Sequence, residues 1–131
     1  MRRIVVVVAL HLTVLGSLSA ENQTATAEID LGEVMPAIED VTRSLDSSVA
    51  GRQSEAAAAE AEKLEDLFRK VEAFFASKRD AADAVAFARS SQGLTADISR
   101  SVKAADFDGA SLAVSGLVRS CKRCHEAYRK N

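Results

Sequence analysis

The chain has 131 residues, 47% hydrophobic and 27% charged, a composition that suits one globular domain and is too short for two. Its formal net charge of −2 gives no support to a nucleic-acid partner. A single proline and abundant alanine in the second half favour helix over sheet.

Taken in chain order, the first element reads as an export signal. Arg2 and Arg3 form a positive n-region, Ile4 to Leu15 ("IVVVVALHLTVL") a short apolar core, and "GSLSA" a small-residue cleavage region. The expected cut lies near Ala20. The triplet "ATA" at Ala25 to Ala27 matches the A-x-A pattern better but lies far from the apolar core. The alternative is an uncleaved membrane anchor, which wants about 20 apolar residues, more than this core supplies. Residues 1–20 are therefore expected to be a signal peptide, 21–29 a polar segment and 30–131 the folded domain, exported to the periplasm with no stable membrane insertion after cleavage. Loss of residues 1–20 removes two arginines and no acid, leaving 15 Lys and Arg against 19 Asp and Glu, a net charge of −4. It also removes Met1 and His11, so that Met35 and His125 are the sole mature methionine and histidine. Export moves the thiols into an oxidising compartment.

Four helical patterns follow, with apolar residues recurring at i, i+3, i+4 and i+7. The first, about Asp30 to Val49, carries Leu31, Val34, Met35, Ile38, Val41, Leu45 and Val49. Pro36 is either tolerated within its first two turns or starts the helix at about Met35. Gly51 is a natural stop. The second, about Glu55 to Ala76 with Ser54 as expected N-cap, carries Ala57, Ala61, Leu64, Leu67, Phe68, Val71, Phe74 and Phe75. The third, about Ala81 to Ala104 with Asp80 as expected cap, carries Ala84, Phe87, Ala88, Leu94, Ile98 and Val102. Gly93 weakens it by roughly 1 kcal/mol relative to alanine, and is either a point of close approach for something bulky or simply tolerated. The fourth, about Phe107 to Lys130 after Asp106, carries Ala110, Val114, Leu117, Val118, Cys121, Cys124 and Tyr128, which puts both cysteines on its buried face. The connections are short, so consecutive helices are expected to be antiparallel neighbours. The expected fold is all-α, an up-down-up-down four-helix bundle.

The chemistry concentrates in "CKRCHEAYR", where Cys121, Cys124 and His125 stand together and no other cysteine exists. A structural zinc wants four ligands, commonly two spaced pairs, and there is no second pair. A thioredoxin-type C-x-x-C belongs at a helix start in a βαβ context, which this chain lacks. A structural disulfide between residues one turn apart closes almost no loop and adds little stability. C-x-x-C-H is also the attachment signature of c-type haem. The i, i+3 spacing puts both sulfurs on one helical face, where each can add across one haem vinyl group, and the adjacent His125 ring can reach the iron.

"ADFDGASLAVSGLVRSCKRCHEAYR" resembles the C-terminal helix of the class II c-type cytochromes, the cytochrome c-prime family and its low-spin relatives; the second and third helices match only in length and pattern. The resemblance implies a four-helix bundle with one covalently bound haem c near the C-terminus. The first helix, through "DLGEVM" (Asp30 to Met35), also resembles that of the soluble b-type bundle cytochrome, where a methionine at this place binds iron. Antiparallel first and last helices would set Met35 and His125 at the same end of the bundle. They would then be the axial metal ligands of a low-spin His/Met haem, a pairing that stabilises ferrous iron. Plain core packing is the other role open to Met35. In five-coordinate members of the family an apolar side chain from the first helix blocks that face. By resemblance Arg129, one turn beyond His125, lies near the haem as a cofactor-binding residue; a solvated terminal arginine is its other reading. Tyr128 is expected to pack in the stripe, and Phe68, Phe74, Phe75 and Phe87 in the core.

The expected function is that of an exported monohaem electron carrier rather than an enzyme, with redox-protein donors and acceptors as transient partners. A five-coordinate haem protein that binds or senses nitric oxide or carbon monoxide is the alternative. A homodimer is left open by the sequence.

Overall fold

The computed structural model describes residues 28–129. The expected export signal, the "ATA" triplet and the last two residues lie outside the described part. Four helices make up the described chain: α1 (Leu31–Ala50), α2 (Ser54–Ala76), α3 (Ala82–Lys103) and α4 (Phe107–Tyr128), with no strand among the described residues. None of the four is long and apolar enough to cross a membrane.

The helix starts divide into two kinds. At α1 the Asp30 carboxylate accepts the Gly32 N–H at 2.7 Å, and at α4 the Asp106 carboxylate accepts the Gly109 N–H at 2.9 Å. Each satisfies a donor that the first turn leaves orphaned. The starts of α2 and α3 correct the sequence expectation. Ser54 is the first helical residue of α2, preceded by Gln53, and Ala81 precedes α3; neither helix has a side-chain cap. The turns before them are left-handed, as is the turn before the capped α4, where Ala105 has φ 59°. Arg52 (φ 54°) and Asp80 (φ 59°) take left-handed backbone. That places the chain's tight turn on Arg52 rather than on Gly51, whose φ is −80°. The Gln53 N–H closes the end of α1 by donating to the Ser48 carbonyl at 2.9 Å, and the Gln53 carbonyl accepts the Ala57 N–H at 2.9 Å as the first rung of α2.

Pro36 lies inside α1 without breaking it. It has no N–H to give the Gly32 carbonyl, so one rung of the ladder is missing in the second turn, just past the first turn where proline costs nothing.

Neighbouring helices are pinned by specific pairs. Between α2 and α3, Arg89 and Gln92 both reach Glu72, at 2.6 and 2.7 Å, and Lys103 reaches Glu62 at 3.0 Å. Between α3 and α4, the Ser91 and Ser120 hydroxyls meet at 3.1 Å, and the Tyr128 hydroxyl donates to Asp83. The Arg52 guanidinium stacks 5.6 Å from the Phe107 ring centre, joining the α1–α2 turn to the start of α4. The four helices form a bundle in chain order, and α1 closes on α4 far less extensively than α2 packs on α3.

Leu45, Leu64, Ile98 and Leu117, one from each helix, are fully buried and form the heart of the core. Each such side chain contributes about 1.5–3 kcal/mol by leaving water. The expected stripes are recovered in part: Leu31, Met35, Phe75 and Leu94 are half-buried against the core, and Phe74 and Phe87, expected in the core, are half-buried outside it. Val118 is exposed, Cys121 and Cys124 are half-buried rather than fully buried, and Ser91, Thr95 and Ser120 occupy buried stripe positions. Gly93 faces open space, with no atom of the described residues within 4 Å of where a Cβ would stand.

Candidate cofactor site

A cavity of about 1030 Å³ opens where α1 and α4 meet. That is at the upper end of the range for sites that enclose a small molecule or cofactor. Met35 and Pro36 face it from α1, and Cys121, Cys124, His125 and Tyr128 from α4, with Arg129 just past the helix end. Phe68, Val71 and Phe75 of α2 and Phe87 of α3 give it apolar walls. The helical period explains the α4 set. Cys121, Cys124 and Tyr128 step by three or four residues down one face, and His125 stands beside Cys124 on the same side. Met35 is half-buried and also packs against the hydrophobic core.

Both cysteines are free thiols. Burial pushes each up from the ordinary thiol range, Cys124 contributing next at Cys121 and the Asp83 carboxylate next at Cys124. Neither is therefore a ready thiolate at neutral pH. Among the described residues no three His, Cys, Asp or Glu side chains are grouped to hold a metal ion by themselves.

The far end of α4 is fixed by aromatic and polar contacts. The Phe75 and Tyr128 rings lie 5.3 Å apart and tilted, and Phe74 meets Phe75 edge-on at 5.2 Å. The hydrogen bond from Tyr128 holds the Asp83 carboxyl below the usual aspartate range and lifts the Tyr128 hydroxyl above the usual phenol range. Arg129 is extended and exposed, and its N–H donates to the His125 carbonyl at 2.9 Å. Phe74 does not line the cavity; the Lys78 ammonium sits 4.6 Å over its ring instead.

Three residues of this region were not singled out from the sequence. Ser91 and Ser120 line the cavity as a buried pair, and the Thr42 hydroxyl is buried without a hydrogen-bond partner. Ser91 sits four residues before Thr95 and three after Ala88, a helical spacing that would have marked it had small polar residues been counted. No family model, curated protein or solved structure matches the chain.

Proposed function

We propose that this protein is an exported monohaem cytochrome c of the class II type, carrying one electron at a time. One observation carries the reading: Cys121, Cys124, His125 and Met35 line a single cavity with apolar walls. The donor set suits haem better than a free metal ion. Two neutral thiols become neutral thioethers, one imidazole and one thioether supply the axial pair, and aromatic and aliphatic side chains face the ring. When bound, haem supplies the iron-centred one-electron chemistry, and the chain's own work is to hold it. In this reading Cys121 and Cys124 would hold the haem c covalently, His125 and Met35 would be the ligands to its iron, and Phe75 and Phe87 would exclude water. Arg129 offers its guanidinium at the rim to a haem carboxylate. Burial and the methionine ligand favour ferrous iron and raise the potential.

The finer architecture belongs to the same reading. Glu72–Arg89 with Glu62–Lys103, and Ser91–Ser120 with Asp83–Tyr128, pair rising numbers on one helix with falling numbers on the next. That supports an antiparallel up-down-up-down topology. The signal-like N-terminus supports export to the periplasm. Partners are redox proteins meeting the haem edge through small, weak interfaces.

The five-coordinate, gas-binding reading keeps one observation on its side, because Met35 packs on the core as an apolar blocking residue would. The deciding experiment is a reduced-minus-oxidised visible spectrum of protein matured in a cytochrome c-competent host, with and without carbon monoxide, beside its mass under denaturing conditions. The expected result is one covalent haem, a low-spin spectrum with a thioether-to-iron band, and conversion of Met35→Ala to a high-spin form that binds carbon monoxide rapidly. A chain of bare polypeptide mass overturns the haem; a high-spin wild type overturns the Met35 ligation.

A further inference from the structure

Among the described residues two large apolar side chains stand in water, Leu112 at 74% exposure and Val118 at 51%. Single exposed apolar residues are ordinary on a monomer. These two share one face of α4, and the residue midway between them, Ser115, is small and exposed. An exposed charge lies beyond each, Asp108 toward the start of the helix and Lys122 toward its end. Asp108 enters no ion pair among the described residues, and Lys122 approaches Glu126 at 3.9 Å.

The face is its own complement. Leu112 and Val118 stand three residues to either side of Ser115, Ser111 and Arg119 four, and Asp108 and Lys122 seven. Those are the steps that keep residues on one side of a helix. Turned end for end about Ser115, the face therefore sets leucine against valine, serine against arginine and carboxylate against ammonium. We propose that α4 pairs antiparallel with α4 of a second copy of this chain, with Ser115 on the two-fold axis. Each contact then occurs twice, giving two Leu112–Val118 contacts and two Asp108–Lys122 ion pairs. Charge fixes both direction and register. Parallel helices would set Asp108 on Asp108 and Lys122 on Lys122. A slip of one turn one way sets Leu112 against Lys122 and Asp108 against Glu126, and a slip the other way sets Asp108 against Val118. The serines let the backbones approach to the near end of the usual helix–helix spacing of about 8–10 Å. A standard interface takes roughly 20–30 residues a side and this one about seven, so the dimer is weak, with a Kd on the order of 0.1 mM. Ser115 and Val118 also line the cofactor cavity, so the second copy covers that edge of it. The inference does not depend on what the cavity holds.

The test is sedimentation equilibrium of the purified protein at low salt, from about 10 μM to 1 mM, a range that brackets such a Kd. The wild type is compared with Leu112→Glu, Asp108→Lys, Lys122→Asp and the double variant Asp108→Lys/Lys122→Asp. None of these positions lines the cavity, and circular dichroism checks that each variant is folded. The wild type should show a reversible monomer–dimer equilibrium. Leu112→Glu should weaken it by more than tenfold, and each single charge reversal by about tenfold, because like charges then meet at both ends of the contact. The double variant should return to within about threefold of the wild type, since the swap restores both ion pairs. A wild type that stays monomeric to about 1 mM overturns the inference and leaves Leu112 to residues 21–27 or to another protein. A dimer unchanged by Leu112→Glu overturns it by placing the interface elsewhere. A double variant no better than the single reversals overturns the antiparallel register.

Discussion

Where Arg52 stacks on Phe107, the bundle is filled by Val49, Ala57, Val102 and Ala110, all at most 3% exposed, beneath the layer of Leu45, Leu64, Ile98 and Leu117. Where Tyr128 meets Asp83, the same four helices line a cavity, and Met35 of α1 with Cys121, Cys124, His125 and Tyr128 of α4, which face it, are half-buried. The difference follows from side-chain choice. Small alanines are buried at both ends, but at the filled end leucine, isoleucine and valine occupy the space between the helices. At the other end cysteines, a histidine, a methionine and phenylalanines leave a gap that their own atoms do not fill. One end therefore supplies stability and the other is free to specialise.

The largest effect that can break this comparison is at the filled end. Leu64→Ala removes a fully buried side chain and should cost about 2–5 kcal/mol. In a domain of this size each kcal/mol lowers Tm by about 4–8 °C, so thermal unfolding of the haem-free protein reads it directly. Phe75→Ala deletes a larger side chain, but one that is half-buried and faces the cavity, and it should cost less than Leu64→Ala in the haem-free chain. Equal losses would mean that the cavity end is packed as tightly as the other.

A smaller effect sharpens the boundary between the two regions. Ser91 and Ser120 are 3% and 8% exposed and bonded to each other, next to the cavity. Ser120→Ala leaves the Ser91 hydroxyl buried without its partner and should cost about 1–3 kcal/mol. Replacing both by alanine removes the need as well as the bond, so the double variant should be at least as stable as the single one. A double variant that loses the sum of the two single losses would show that each serine works independently.

These two regions were not equally legible in the sequence. The four helices and most of their core stripes follow from the spacing of Val, Leu, Ile and Ala, because burial selects large apolar groups at period 3.6. Asp106 was readable as the cap of α4, whereas Asp30 was read only as the approximate start of α1 and its capping of Gly32 came from the structure. Ser54 and Asp80 were misleading, since Ser54 is already inside α2 and Asp80 sits in the left-handed turn one residue before the Ala81 cap of α3, and nothing in the residue types announces either shift. At the cavity end, the cluster of Cys121, Cys124 and His125 stood out by residue type. Met35 was reachable through the "DLGEVM" resemblance and by assuming how α1 and α4 run. Ser91, Ser120 and Thr42 were invisible because hydroxyls occur freely on helix surfaces, and only the three-dimensional seam shows which of them are covered.

The smallest effect lies on the α2–α3 side, where one acid at each end crosses to the next helix. Glu62 meets Lys103 alone, with both side chains more than half exposed, and such a pair contributes little. Glu72, toward the cavity end, takes two donors. The Gln92 amide and then the Arg89 guanidinium hold its carboxyl below the ordinary glutamate range, outweighing the opposing influence of burial. A folded-state pKa below the unfolded one means that the folded protein binds its proton later as acid is added. The stabilisation is then complete above the unfolded value, about 4.3, and disappears as pH falls through the folded value. Glu72→Gln should therefore lower Tm modestly at neutral pH, with the gap to wild type closing as pH falls below that point, while Glu62→Gln should track wild type throughout. A gap at Glu72→Gln that stays constant into strong acid would mean that the side chain's shape, and not its charge, is what Arg89 and Gln92 recognise.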